Sequence, residues 1–187
     1  MANFTKKAIL DAFTGMLAQM PLDRITVSAL VRRCQISPNT FYYHFQNIDQ
    51  LLEQWLQQAL VRFDLNGDPS GDWRPKAKAI LKSCRQHSAI IYHISDGLSR
   101  DHLERYVFSL TDDFFSRRVC CRAEPYLVPE AVLRELADFC RYAFMGFFLK
   151  FLWNRMEGDI DGDVDRVGEL LLSFLNHALS AYPRRPG

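Results

Sequence analysis

In the first twenty residues the apolar positions Ile9, Phe13, Met16, Leu17 and Met20 recur at the three- and four-residue spacing of an amphipathic helix, which Pro21 closes. Thr26 then offers an N-cap hydroxyl to a second helix whose stripe is Val27, Leu30, Val31 and Cys34. After the short break Gln35-Ile36, Ser37 is a good cap and Pro38 suits a first helical position, where its missing N–H costs nothing. This third helix runs to about His44. A fourth starts at Asn47, with Gln50 three residues on as in a capping box and Leu51, Leu52, Trp55, Leu56, Ala59 and Phe63 along its apolar face. The Gly, Pro, Asp and Ser of Asn66 to Asp72 predict a loop. Further helices are predicted over 73–85, 87–97, 99–120, 129–157 and 163–181. No segment alternates with period two and no internal repeat is visible, so the predicted fold is all-α, about nine helices.

Three short helices within 45 residues, the second and third joined by a tight turn, match a helix-turn-helix whose later helix enters the DNA major groove. On that helix Phe41 and Phe45 sit at i, i+4 and face inward, while Asn39 and Tyr43 lie opposite, flanked by Thr40 and Tyr42. An outward Asn, Thr and Tyr surface suits hydrogen bonding to bases and phosphates. The expected division is a head over 1–46 and a helical-bundle body over 47–187.

Charge adds little to this picture. The chain carries a net charge of only +1 at 24% charged and 48% hydrophobic residues, a globular balance with no global field for nucleic acid. Five cysteines without CxxC spacing argue against a disulfide framework or zinc ribbon and suit a reducing cytoplasm. The longest apolar run, Ala143 to Trp153, is interrupted by Lys150 and too short to cross a bilayer, and neither a membrane partner nor a secretion signal is expected.

Ile25-Thr26-Val27, then Ile36-Ser37-Pro38-Asn39-Thr40-Phe41-Tyr42-Tyr43-His44-Phe45 and Leu51-Leu52, resemble the signature of the TetR family of transcription regulators over about a quarter of the chain. The resemblance implies a homodimer whose two heads occupy successive major grooves of a palindromic operator. A small molecule bound in the body would release the DNA, so the implied activity is that of a repressor. Thr26 would cap the second helix against a phosphate. Ser37, Asn39, Thr40 and Tyr43 would face the groove from the helix opened by Pro38, and Tyr42 and His44 would hold phosphates. Two positions depart from the pattern: the usual turn glycine is Gln35, and the usual lysine after the "HF" is Ile48, followed by Asp49. The second removes one phosphate contact per head. Gln35 followed by Ile36 is similar to the branch of dihydroxyacetone-kinase regulators.

The resemblance also implies that the middle helices enclose an effector site and that the last two pair with their twofold mates. His87, Tyr92, His93, Phe115 and Tyr142 could place polar groups in an aromatic cavity, against the plainer reading that each is a core or surface residue. Phe144, Phe148, Phe151, Leu152, Leu171, Phe174 and Leu175 are the candidate dimer face, because the 129–157 helix is apolar on more than one side. Glu157, Asp159, Asp161, Gly162, Asp163 and Asp165 resemble a calcium loop, but its twelfth position is Gly168; a solvated turn with Asp163 capping the last helix fits better, and no metal site is expected. No catalytic residues or cofactor motif stand out: the five histidines lack HExxH spacing, and no serine or cysteine sits in a nucleophile motif. Two other readings stay open: a regulator-like protein-interaction module lacking effector or DNA binding, and a small helical enzyme or lipid carrier.

Overall fold

The computed structural model describes residues 2–65 and 67–186. Among these, nine α-helices and one 3-10 turn carry the fold and no strand forms. An isolated bridge joins Tyr126 to Arg184, where Leu127 N donates to Pro183 O at 2.8 Å and the C-terminal tail returns along 125–127. The all-α expectation holds.

Two compact units share these helices. The first runs to Arg62 and also takes in His87–Leu103; the second consists of Phe63–Gln86 and the chain from Glu104 onward. This differs from the expected division at 46/47, and side-chain contacts explain why. The first unit contains α1 (Ala2–Leu17), the 3-10 turn Leu22–Arg24, α2 (Val27–Cys34), α3 (Pro38–His44), α4 (Ile48–Val61) and α6 (Ser88–Gly97). In its core, Ile9, Phe13, Leu17, Leu30, Phe41, Phe45, Leu51 and Leu52 are essentially inaccessible, and burying each such side chain is worth about 1.5–3 kcal/mol. Leu51 and Leu52 are α4 residues, and Trp55 Nε1 on the same helix donates to Thr14 Oγ1 at 2.7 Å. The fourth helix is thereby part of the head's own packing. Helix α6 joins through Gly97, where a Cβ would lie 2.8 Å from Leu22 and from Asp23 N, so only glycine allows that approach to the 3-10 turn.

The second unit holds α5 (Arg74–Gln86), most of α7 (Arg100–Ala123), α8 (Glu130–Trp153) and α9 (Ile160–Ser180). Phe114, Phe115, Val119, Leu136, Ala137, Cys140, Leu171, Leu175 and Leu179 form its core. Helix α5 packs on α9, laced by ion pairs from Lys78 to Asp165 at 2.7 Å and Lys82 to Asp161 at 2.8 Å. The loop predicted over Asn66 to Asp72 is irregular over its described residues Gly67–Asp72; Asn66 lies outside the described residues.

The turn between the last two helices corrects two expectations. Helix α8 ends at Trp153 rather than 157, because Arg155 and Met156 take left-handed φ of 57° and 56° and Gly158 takes 104°. Arg85 of α5 secures this turn, its Nε donating to Met156 O at 2.6 Å and its Nη2 to Gly158 O at 2.8 Å. Helix α9 starts at Ile160, and the residue that caps it is Asp159, accepting from Gly162 N at 3.1 Å. Asp163 instead lies in the first turn, where a carboxylate suits the positive helix end. Among the described residues no three His, Cys, Asp or Glu side chains gather as metal ligands, and no helix is long and apolar enough to cross a membrane.

Candidate nucleic-acid interface

Each hydroxyl assigned from the sequence to a helix start performs that capping. Thr26, in extended backbone, accepts Ala29 N at 3.2 Å, and Ser37 accepts Thr40 N at 3.1 Å while also pairing with the Thr40 hydroxyl at 2.9 Å. Pro38 occupies the first turn of α3. Asn47 caps α4 by accepting Gln50 N at 2.8 Å. The Gln50 side chain reaches one residue further back than a capping box requires and accepts Gln46 N at 2.6 Å.

With both ends of α3 fixed, its seven residues divide by face. Phe41 and, just past its end, Phe45 are buried with rings 5.8 Å apart, anchoring one side in the core. Tyr42 and Tyr43 are 56% and 78% exposed, and Asn39 is also exposed. Thr40 and His44 are half-buried, His44 meeting the Tyr43 ring edge-on at 5.0 Å. Asn39 and Tyr43, four residues apart, therefore share an outward edge rich in donors and acceptors. Arg32 and Arg33, exposed in the last turn of α2, bring positive charge to the same motif. No motif position marks these two arginines in the sequence; their exposure on the head draws attention to them.

Both departures from the signature have a local physical cause or consequence. Gln35 ends α2 in left-handed backbone, φ 55° and ψ 42°, with its N–H donating to Arg32 O and Ile36 N to Val31 O. That is the conformation glycine adopts most easily, so the turn retains a helix C-cap geometry without the usual residue. Ile48 begins α4 half-buried, and Asp49 lies in that helix's first turn. A negative charge there favours the helix but would repel a phosphate.

The candidate effector residues are divided between the two units. His87, Tyr92 and His93 fall in the first unit, Phe115 and Tyr142 in the second. His93 Nδ1 is engaged 2.7 Å from Leu17 O, and His87 is exposed just before α6. Phe115 is a core residue against Phe114 and Phe144, and Tyr142 is 66% exposed with its ring edge on Phe108.

The candidate dimer residues differ in how much surface they keep. Phe151, Leu152, Leu171 and Leu175 are buried within their own chain, which leaves them almost no surface to offer a second copy. Phe144, Phe148 and Phe174 are partly buried. The exposed apolar residues are instead Phe139, Tyr142 and Trp153 on α8 and Leu170 on α9. At about 100° per residue Phe139, Tyr142, Gly146 and Trp153 fall within an arc of roughly 60° on one helix. The Phe139 ring stacks on Phe174 at 4.3 Å and joins this stripe to α9.

Comparison with known proteins agrees with this architecture. A family model for bacterial regulatory proteins of the tetR family matches residues 9–54, and a model for a transcriptional regulator C-terminal region matches residues 71–172. The dihydroxyacetone kinase operon activator DhaS is similar in structure, with a TM-score of 0.65 and 15% identity over 92% of this chain and 96% of that one. NalD, the secondary repressor of the MexAB-OprM multidrug efflux pump in Pseudomonas aeruginosa, has a TM-score of 0.59 and 18% identity over 92% of this chain and 97% of its own. SmeT, the repressor of the Stenotrophomonas maltophilia multidrug efflux pump SmeDEF, has a TM-score of 0.58 and 17% identity over 97% and 91% respectively. At such identities these likenesses establish the fold alone. No curated protein matches the chain. With the regulator model spanning more than half of its length and the tetR model covering α2 and α3, the chain belongs to the TetR family of DNA-binding transcription regulators, which are not enzymes.

Proposed function

We propose that this regulator is a cytoplasmic homodimer that binds palindromic operator DNA through α3 and releases it when a small molecule binds outside the 1–46 head, acting as a repressor. One observation supports the DNA-binding half above the others. A seven-residue helix is pinned by two buried phenylalanines and by Ser37, and it carries Asn39, Tyr42 and Tyr43 outward. Exposing two tyrosines is hard to reconcile with packing and suits contacts to phosphates and base edges. Thr26 would donate its hydroxyl hydrogen to phosphate or base while its oxygen accepts Ala29 N, and Thr40 would do so when the Ser37 hydroxyl donates to it.

Dimerisation is supported by the apolar stripe Phe139, Tyr142 and Trp153 with Leu170 and Phe174, whose obvious cover is a second copy of the same two helices. A two-fold dimer would bind two half-sites about one helical turn apart. NalD and SmeT are described as repressors and DhaS as an activator, so the sign of control is itself part of the proposal.

The test is fluorescence anisotropy of the purified protein on the duplex upstream of its own gene and on a shuffled duplex, between about 50 and 200 mM salt. Tighter binding to the upstream duplex, falling steeply with salt on both, is expected. Equal, weak binding to both would favour the protein-interaction module.

A further inference from the structure

Two charged residues share the exposed face of α8 that carries Phe139, Tyr142, Gly146 and Trp153. At about 100° per residue, Glu135 and Lys150 widen that arc only to roughly 80°. Both are exposed, and neither has an opposite charge three or four residues away on its own helix. The described ion pairs of α8 join Arg134 to Glu130 and Arg141 to Asp112 and Asp138, and leave these two out. Gly146 lies between them, and a Cβ built there would meet nothing within 4 Å. Glycine weakens a helix interior, and open space within the chain gives it no reason to be there.

These positions are placed symmetrically about the point between Tyr142 and Ala143. Along the axis, Phe139 and Gly146 lie about 5 Å to either side of it, Glu135 and Lys150 about 11 Å, and Val132 and Trp153 about 16 Å. A two-fold axis through that point, perpendicular to α8, makes each pair meet across an antiparallel contact between copies. Phe139 then faces the partner's Gly146, Trp153 the partner's Val132, Tyr142 the partner's Ala143, and Glu135 the partner's Lys150. Every large side chain meets a smaller one and every charge meets its opposite. Bundle helices cross at about 20° and stay close for several turns, so large must meet small along the whole contact. An axis through Gly146 would instead set glycine on glycine and Phe139 on the partner's Trp153, and would leave Glu135 opposite the partner's Glu157, past the end of α8.

We infer that α8 pairs with α8 of a second copy in this antiparallel register, with Phe139 seated on the partner's Gly146 and an ion pair between Glu135 and the partner's Lys150 closing each end. The inference rests on the dimer reading above and adds its register. Two-fold symmetry makes each contact occur twice, so one substitution changes two contacts.

The experiment measures dimer dissociation by sedimentation for wild type, Glu135→Lys, Lys150→Glu and the double variant Glu135→Lys with Lys150→Glu, with thermal melting of each. Each single variant turns two attractive pairs into like-charge pairs and should weaken the dimer roughly 5- to 100-fold at low salt, the gap narrowing as salt rises. The double variant keeps the wild-type net charge and restores opposite charges in reversed order, so it should recover wild-type affinity to within about threefold. A double variant as weak as the single ones would overturn the register. Cross-linking gives a readout independent of affinity. Under mild oxidation, the double variant Phe139→Cys with Gly146→Cys should form a cross-linked dimer that the wild type does not. Either substitution alone should not, because its two copies lie about 10 Å apart along the helices, past the ~7 Å between Cα atoms that a disulfide spans. Gly146→Cys that cross-links by itself would put the glycine on the axis and overturn the inference. The dimer reading fails separately, and visibly, if the wild type sediments as a monomer.

Discussion

Replacing Tyr43 by alanine separates reading DNA from building the head. The Tyr43 side chain is 78% exposed, and its described ring contact is the edge-on approach to His44 at 5.0 Å. Losing that pair costs at most about 0.5–1.5 kcal/mol, and much less at the surface, while alanine returns up to about 0.5 kcal/mol of helix propensity. The expected change in folding stability is therefore within about 0.5 kcal/mol. A groove contact is worth about 1–3 kcal/mol, or roughly 5- to 150-fold per head, and two independent heads would add. The neighbouring Phe41→Ala provides the contrast, because it empties a site with no exposed surface and should cost about 3–5 kcal/mol of stability. Anisotropy on a selected operator reads the first effect and thermal melting the second. Tyr43→Ala with operator affinity within twofold of wild type would refute the role given to the outward face of α3. A large fall in its Tm would show that the exposed ring is structural.

Other expectations follow from specific contacts. The double variant Phe139→Glu with Trp153→Glu places charges on the exposed α8 stripe and should yield folded monomers by light scattering; a dimer of wild-type strength would place the interface elsewhere. Arg85→Met removes both donors from the turn after α8 and should cost about 1–2 kcal/mol in urea denaturation at an unchanged slope, whereas no loss would mean the turn holds itself. Hydrogen bonding from Lys82 holds the Asp161 carboxyl below its ordinary range, so its stabilisation is full at neutral pH and fades as pH falls through that lowered value. Asp161→Asn should therefore be less stable than wild type at pH 7, the gap closing in acid; a gap that persists there would contradict the ionic origin. Burial pushes the Cys140 thiol up to about 11, so at pH 8 a thiol reagent should label exposed Cys120 and leave Cys140 untouched until the protein unfolds.

The head was legible in the sequence because its signals are local. Thr26, Ser37 and Pro38 mark helix starts, and the spacing of Phe41 and Phe45 identifies the inward side of α3. Where the readings erred, tertiary contacts decided. Helix α8 is predicted to reach 157, yet Arg85 from another helix binds the carbonyls of Met156 and Gly158 in a turn that follows its end at Trp153. The same helix is apolar on several faces, so periodicity could not tell buried Phe151 and Leu152 from exposed Phe139 and Trp153. Nor could it divide Leu171 and Leu175, which face the core, from Leu170 one residue away. His93 could be noticed as polar among apolar neighbours, but its partner is a backbone carbonyl 76 residues earlier, a pairing only the fold reveals. The packing of α4 on the head is hidden for a similar reason, since nothing local in α4 announces that Trp55 will reach Thr14.

Selection of bound sequences from a random double-stranded DNA pool at moderate salt tests the central claim most directly. A dimeric reader using α3 should enrich a palindrome whose half-sites lie about one helical turn apart, and Tyr43→Ala should lose that enrichment. A pool that remains random with the wild-type protein, while the protein stays folded and dimeric, would contradict operator recognition by this head.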